Sequence, residues 1–203
     1  MKKPIDLYCM ALQDRSDRVR WLLEEMNVPY TNHFMPMGSA EKNSPEYRKL
    51  NPMNRVPTIV DGDIVLHESA AICMYLADKY SYGKLAPESS NVKERALYTQ
   101  WMIFSVGTLE AVVARMFTHM NSPTEIAETL KYVKEQSAFF KMALNPILER
   151  QDYILESGFS AADIMLGAVI PGAYDDLVKD NPPIQNYMER LKSREAAIRA
   201  KVF

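Results

Sequence analysis

The spacing of apolar residues changes character once along this 203-residue chain, near residue 80, and that change restricts the folds open to it. At the start, Ile5, Leu7 and Cys9 alternate with Asp6 and Tyr8, the period of two that a strand requires. From Ser16 the period lengthens: Val19, Leu22, Leu23 and Met26 fall on one face of a helix. Asn27-Val28-Pro29 stops that helix, and Tyr30 to Met35 predicts a second strand. Ser44-Pro45-Glu46 opens a short helix that ends before Asn51-Pro52. Val56 to Val60, the turn Asp61-Gly62, and Asp63 to Leu66 predict a hairpin, because Asp-Gly suits the left-handed turn of two-residue loops. Ser69 to Lys79 returns to helix, with Ile72, Tyr75 and Leu76 on one face. The order β-α-β-α-β-β-α implies a sheet that mixes parallel and antiparallel pairing.

Ser81 to Ser90 is rich in turn formers and has little periodicity, as expected of a linker. Beyond it every periodic segment is helical. Leu97, Trp101, Phe104 and Thr108 define one long amphipathic helix, and Ile126, Leu130, Val133, Ser137, Phe140 and Leu144 another. Ser160-Ala-Ala-Asp163 reads as a capping box, with Asp in the usual Glu/Gln place. Pro171-Gly172 bends or ends the helix that follows, and Ile184 to Leu191 and Ala196 to Ala200 predict short final helices. The basic residues Arg190, Lys192, Arg194, Arg199 and Lys201 are read as a solvated helix face. The expected organisation is an α/β domain over 1–80, a linker over 81–90 and an all-helical domain over 91–203.

Composition supplies the exclusions. At 47% hydrophobic residues the chain can fill two cores. The 24 Lys and Arg against 26 Asp and Glu leave a net charge of −2, so no global field draws nucleic acid or anionic lipid. Two cysteines, Cys9 and Cys73, make no disulfide framework and fit a reducing compartment; both read as small core residues. The amino-terminal apolar stretch is broken by Asp6, and no cleavage site follows, so it reads as a strand rather than a signal peptide. The longest uncharged apolar run, Ile164 to Tyr174, is short of the roughly 18 residues that span a membrane. A soluble cytoplasmic protein, without membrane or nucleic-acid partners, is the expectation. His33, His67 and His119 have no metal-ligand spacing, so no metal is expected.

Four short strings carry a resemblance: Arg18-Val-Arg-Trp-Leu-Leu-Glu-Glu, Asn51-Pro-Met-Asn-Arg-Val56-Pro57, Glu68-Ser69, and Ser160-x-x-Asp163. With a strand order of thioredoxin-like pattern and a helical second half, the chain resembles the cytosolic glutathione transferase family over essentially its whole length. The resemblance implies a thioredoxin-like domain that binds glutathione as co-substrate, followed by an all-α domain. It implies a cis bond before Pro57, with the Val56 backbone presented to an extended glutathione as to an added antiparallel strand. It implies that Ser69 and the free N–H groups of the next helix hold the γ-glutamyl carboxylate, that Glu68 pairs with its ammonium, and that Arg55 meets the glycyl carboxylate.

In family classes that use a serine to activate the sulfur, the corresponding position here is Gln13, which has no hydroxyl. Gln13, Arg15 and Ser16 are therefore the candidates to stabilise the thiolate, with the first-helix dipole as a further contribution. Ser16 also has the plainer reading of a helix cap, and Arg15 and Arg18 that of solvated surface charge. Tyr8 reads as a half-buried strand residue. Phe104, Thr108 and Met116 are candidates for an apolar second-substrate pocket, with Met102, Phe117 and Met120 beside them. The resemblance also implies a homodimer. The expected function is transfer of glutathione to a small electrophile. The alternatives are a non-catalytic regulator on the same fold, resembling stringent starvation protein A, which binds RNA polymerase, and a glutathione-dependent isomerase or reductase.

Overall fold

A computed structural model describes residues 3–10, 14–119 and 122–203. They fall into two compact units, Met1–Gly83 together with Arg194–Phe203, and Lys84–Ser193.

The first unit is built on four strands: β1 (Ile5–Cys9), β2 (Tyr30–Phe34), β3 (Thr58–Asp61) and β4 (Ile64–His67), in the spatial order β2-β1-β3-β4. β1 runs parallel to β2 and antiparallel to β3, and β3 and β4 form a hairpin, so the sheet is mixed as the element order requires. The hairpin turn lies one residue later than the sequence reading placed it. Asp61 pairs with Ile64, and the two loop residues are Gly62 and Asp63. Gly62 has φ +64, and glycine takes that left-handed backbone at the first loop position without strain.

Two helices connect these strands, α1 (Asp17–Met26) and α2 (Pro45–Leu50), and a third, α3 (Ser69–Ser81), follows β4. Alternation along β1 buries Ile5, Leu7 and Cys9, which join Val19, Leu22, Leu23, Ile59, Ile72, Cys73 and Leu76 in the core. Asn27 ends α1 in the left-handed conformation, φ 51. Both cysteines are free and buried, and desolvation pushes the Cys9 thiol up to about 11 and the Cys73 thiol up to about 12.

α1 is buried on every side from Asp17 to Leu23, more than its amphipathic pattern predicts. The cover comes from the far end of the chain. A last helix, Glu195–Ala200, packs on α1 and buries Ala196, Ala197 and Ala200. Arg194 makes a two-pronged pair with Glu25 at 2.6 and 2.9 Å, and Arg199 Nε meets Glu24 at 2.8 Å. Arg20 Nε donates to the Ala200 carbonyl at 3.1 Å while its Nη2 pairs with Asp17, and the Phe203 ring meets Trp21 edge-on at 5.5 Å. The reading of Arg194 and Arg199 as a solvated face is corrected: they are ion-paired across a packed helix.

The second unit holds α4 (Val92–Phe104), α5 (Glu110–Thr118), α6 (Pro123–Leu148), α7 (Ala161–Gly167) and α8 (Pro182–Lys192); the helix Glu195–Ala200 of the first unit is α9. The predicted long helix through Thr108 is interrupted: Ser105–Leu109 forms a π-helical turn between α4 and α5. The continuous helical stretch Val92–Thr118 contains an 18-residue window of mean hydropathy 1.2, long and apolar enough by composition to cross a membrane, which the sequence reading did not anticipate. Its Tyr98, Trp101, Met102, Leu109, Val112 and Val113 are buried in this unit. α7 is buried at every residue. Its capping box forms as predicted: Ser160 N–H donates to Asp163 at 2.8 Å and Ala162 N–H to Ser160 Oγ at 3.2 Å. The other oxygen of Asp163 accepts from Ile154 N–H at 2.8 Å and Tyr187 O–H at 2.9 Å.

Candidate glutathione site

Strand register brings the separate sequence strings of the first unit together. Thr58 pairs with His67, so Val56-Pro57, entering β3, lies beside Glu68-Ser69, leaving β4. The Val56–Pro57 peptide is cis. Among the described residues the backbone N–H and C=O of Val56 have no hydrogen-bond partner, while the side chain is half-buried.

The loop that delivers Val56 is braced by two residues whose roles the sequence reading missed. Asn51 Nδ2 donates to the Arg55 carbonyl at 2.8 Å and to Thr58 Oγ1 at 3.0 Å, and its Oδ1 accepts from Met53 N–H at 3.0 Å. Tyr47 O–H reaches the same Arg55 carbonyl and contacts Thr58 Oγ1 at 2.9 Å. Burial raises the Tyr47 phenol above its usual range, so it remains a neutral donor. The string Asn51-Pro52 was a visible signal for Asn51; nothing in sequence spacing pointed to Tyr47. Arg55 is exposed.

Glu68 holds φ 74, ψ 111, a left-sided backbone that costs a non-glycine residue about 1–3 kcal/mol. It is the N-cap of α3 and makes no side-chain bond to the first turn. By contrast, Ser44, Asn91, Ser122 and Ser160 each cap their own helices with a side-chain oxygen. The first turn of α3 thus keeps its N–H groups for another acceptor. Ser69 is buried, and its Oγ accepts from Arg18 Nη1 at 3.1 Å. Arg18, read from sequence as surface charge, is 4% exposed. Its guanidinium reaches Ser69 of α3, a tertiary contact that the amphipathic pattern of α1 alone does not announce.

The start of α1 is arranged around Asp14. Its carboxylate accepts from Met10 N–H at 2.9 Å, Ser16 N–H at 2.6 Å and the Ser16 hydroxyl. Ser16 is fully buried and holds the N-cap position of α1, its carbonyl accepting from Arg20 N–H at 2.9 Å, but its side chain makes no cap bond and its proton is committed to Asp14. Arg15 is exposed. Gln13 lies outside the described residues, as does Met120. Tyr8 stacks on His33 with ring centroids 4.7 Å apart, and His33 Nε2 meets Asp6 at 2.8 Å; burial, then Asp6, raises the Tyr8 phenol.

In the helical unit Phe104 is half-buried between Trp101 and Phe140, edge-on to both at 5.1 and 5.6 Å. Thr108 is exposed on the π-helical turn and Met116 is half-buried on α5. Met102 is fully buried core, and Phe117 is exposed. No group of three or more His, Cys, Asp or Glu among the described residues could hold a metal ion.

Comparison with known proteins finds relatives of this sequence and fold. Residues 15–79 match the family described as glutathione S-transferase, N-terminal domain. The chain is 27% identical to glutathione S-transferase D7 of Drosophila melanogaster, over 82% of this chain and 73% of that one. It is 25% identical to glutathione S-transferase hmp2 of Hypomyces subiculosus, over 97% of each. A glutathione transferase from Burkholderia graminis, solved with two glutathione molecules bound per subunit, superposes with a TM-score of 0.82 at 25% identity, covering 97% of this chain and 87% of that one. The fold is a thioredoxin-like domain followed by a helical region, and within it residues 15–79 match the N-terminal domain of the glutathione S-transferases.

Proposed function

We propose that this protein binds glutathione on its first unit and transfers the thiolate to a small, apolar electrophile. The observation that carries the binding is the pairing of an open Val56 backbone with an uncapped α3 turn at Glu68-Ser69, set side by side by the Thr58–His67 register. An extended peptide adds to the Val56 N–H and C=O as an antiparallel strand. Its γ-glutamyl carboxylate meets Ser69 and the α3 N–H groups, Glu68 takes the ammonium, and Arg55 takes the glycyl carboxylate. In the transfer the thiolate sulfur forms the bond to the electrophilic carbon as a leaving group departs with its bonding pair, or as a polarised double bond passes its π pair to an atom that water protonates, so the protein's task is to hold the anion and orient it. Because the Ser16 hydroxyl is committed to Asp14, Gln13 and Arg15 are assigned the stabilising role. Phe104, Thr108 and Met116 are assigned to the electrophile. A homodimer, as the family resemblance implies, is part of the proposal.

The commitment of Ser16 also favours a second reading, a protein that binds glutathione without activating it. Titration with glutathione at neutral pH, followed by the ultraviolet absorbance of bound thiolate, separates the two. Transfer requires a thiolate signal that saturates with binding, whereas saturation without that signal leaves binding alone. Ser69→Ala should weaken binding about tenfold, the value of one hydrogen bond to a charged group. No binding by the unaltered protein refutes both readings.

A further inference from the structure

A serine hydroxyl has one proton to give and room to accept two hydrogen bonds. At Ser69 one acceptor position is filled by Arg18 Nη1 at 3.1 Å. Arg18 has no acceptor to offer in return, since a guanidinium only donates and stays charged at every physiological pH. The Ser69 proton must therefore point away from Arg18, and among the described residues no acceptor receives it. Both side chains are buried, Arg18 4% and Ser69 6% exposed, so water screens their field weakly. A charged donor set behind a hydroxyl polarises that hydroxyl as a donor. The helix it opens, α3, runs for 13 residues and presents its positive end at the same place.

We propose that Arg18 is a positioning residue: it fixes Ser69 as an outward donor, and together they require an ionised carboxylate at the γ-glutamyl end of the ligand. The inference rests on the glutathione reading and adds the group that imposes the charge requirement. A neutral carboxamide in place of that α-carboxylate presents an NH2 as well as an oxygen and carries no charge to meet the guanidinium. Arg18 touches no ligand atom in this scheme and acts through Ser69. Glu68, at the other side of the turn, is left to the ammonium.

The test compares glutathione with its analogue in which the γ-glutamyl α-carboxylate is a carboxamide, by isothermal titration. The unaltered protein should prefer glutathione about thirtyfold or more, the worth of a charge-assisted bond reinforced by a buried charge. In Arg18→Met that preference should shrink to about threefold, with affinity for the carboxamide nearly unchanged. A residue that merely ties α1 to α3 would weaken both ligands alike, so an unchanged ratio overturns the inference. Arg18→Lys keeps a buried charge and serves if Arg18→Met does not fold. Its shorter reach and single-point donor should lower the preference at least about threefold, and an unaltered preference there also overturns the inference. If the unaltered protein binds neither ligand, it is the glutathione reading that fails.

Discussion

Replacing Asp163 with alanine should cost the helical unit about 3–6 kcal/mol, an unusually large loss for one residue. The figure follows from what the carboxylate holds. Two backbone donors, Ile154 N–H and Ser160 N–H, reach it at 2.8 Å each, and both are fixed by the chain. Each bond to a charged acceptor contributes about 1.5–3 kcal/mol, and neither donor can turn to another partner. The hydroxyls of Ser160 and Tyr187, at 3.1 and 2.9 Å, can rotate and are counted as nothing. The chain has two tryptophans, Trp21 in the first unit and Trp101 in the second, so Trp21→Phe leaves Trp101 as a reporter of the helical unit alone. Urea unfolding followed by Trp101 fluorescence in that background gives the loss directly. Tyr187→Phe, which removes one rotatable donor, should cost only about 1 kcal/mol. If Asp163→Ala costs no more than Tyr187→Phe, the carboxylate is not the hub of these bonds and the reasoning fails.

The same group has a pH signature. Burial pushes the Asp163 carboxyl up from 3.8 to about 6, against the pull of its four hydrogen bonds. The fold therefore holds the proton more tightly than the unfolded chain does. Its contribution is largest below pH 3.8 and is lost as pH rises to about 6, so the stability advantage over Asp163→Asn should narrow across that interval and stay constant above it. A gap that widens with pH contradicts this. Gly172→Ala should destabilise the same unit by about 1–3 kcal/mol, because a Cβ there would lie 2.5 Å from Val113 Cγ1, and Val113→Ala in the same chain should recover part of the loss. Additive losses in the double variant would refute the contact. Both thiols should resist a water-soluble disulfide reagent in the native protein and react together on unfolding, since Cys9 and Cys73 are buried and held neutral; rapid native reaction of either would contradict their placement.

Much of this architecture was legible in the residues because local periodicity and local turn chemistry decide it. β1, α1, β2, α2 and α3 lie close to where spacing, Asn27-Val-Pro29 and Ser44-Pro45 put them, and the Ser160–Asp163 box announces α7. The hairpin slipped by one residue because Asp61-Gly62 and Gly62-Asp63 are both acceptable turn pairs, and register with β4 chooses between them. The π-helical turn at Ser105–Leu109 leaves helical periodicity nearly intact, so spacing could not show it. In the candidate site, Val56-Pro57 and Glu68-Ser69 stood out as strings, whereas Arg18 did not. Its guanidinium meets Ser69 of α3, and an arginine on a helix reads as surface until such neighbours are known. Ser16 takes the N-cap position that was read for it, but Asp14, two residues earlier, captures the hydroxyl that would have capped the helix.

The return of residues 194–203 to α1 has a consequence for how this protein is made. The first unit is encoded almost entirely before residue 84, yet the helix that covers Asp17 to Leu23 leaves the ribosome about 110 residues later. At roughly 5–20 residues per second, the nascent first unit waits several seconds with the flank of Trp21, the Arg20 guanidinium and two glutamates uncovered. During that interval Arg20 lacks the Ala200 carbonyl, whereas Arg18, two residues earlier in α1, already has Ser69 of α3 as a partner. Residues 194–203 thus close a unit whose other part precedes residue 84, so that unit is completed only after Lys84–Ser193 has been synthesised.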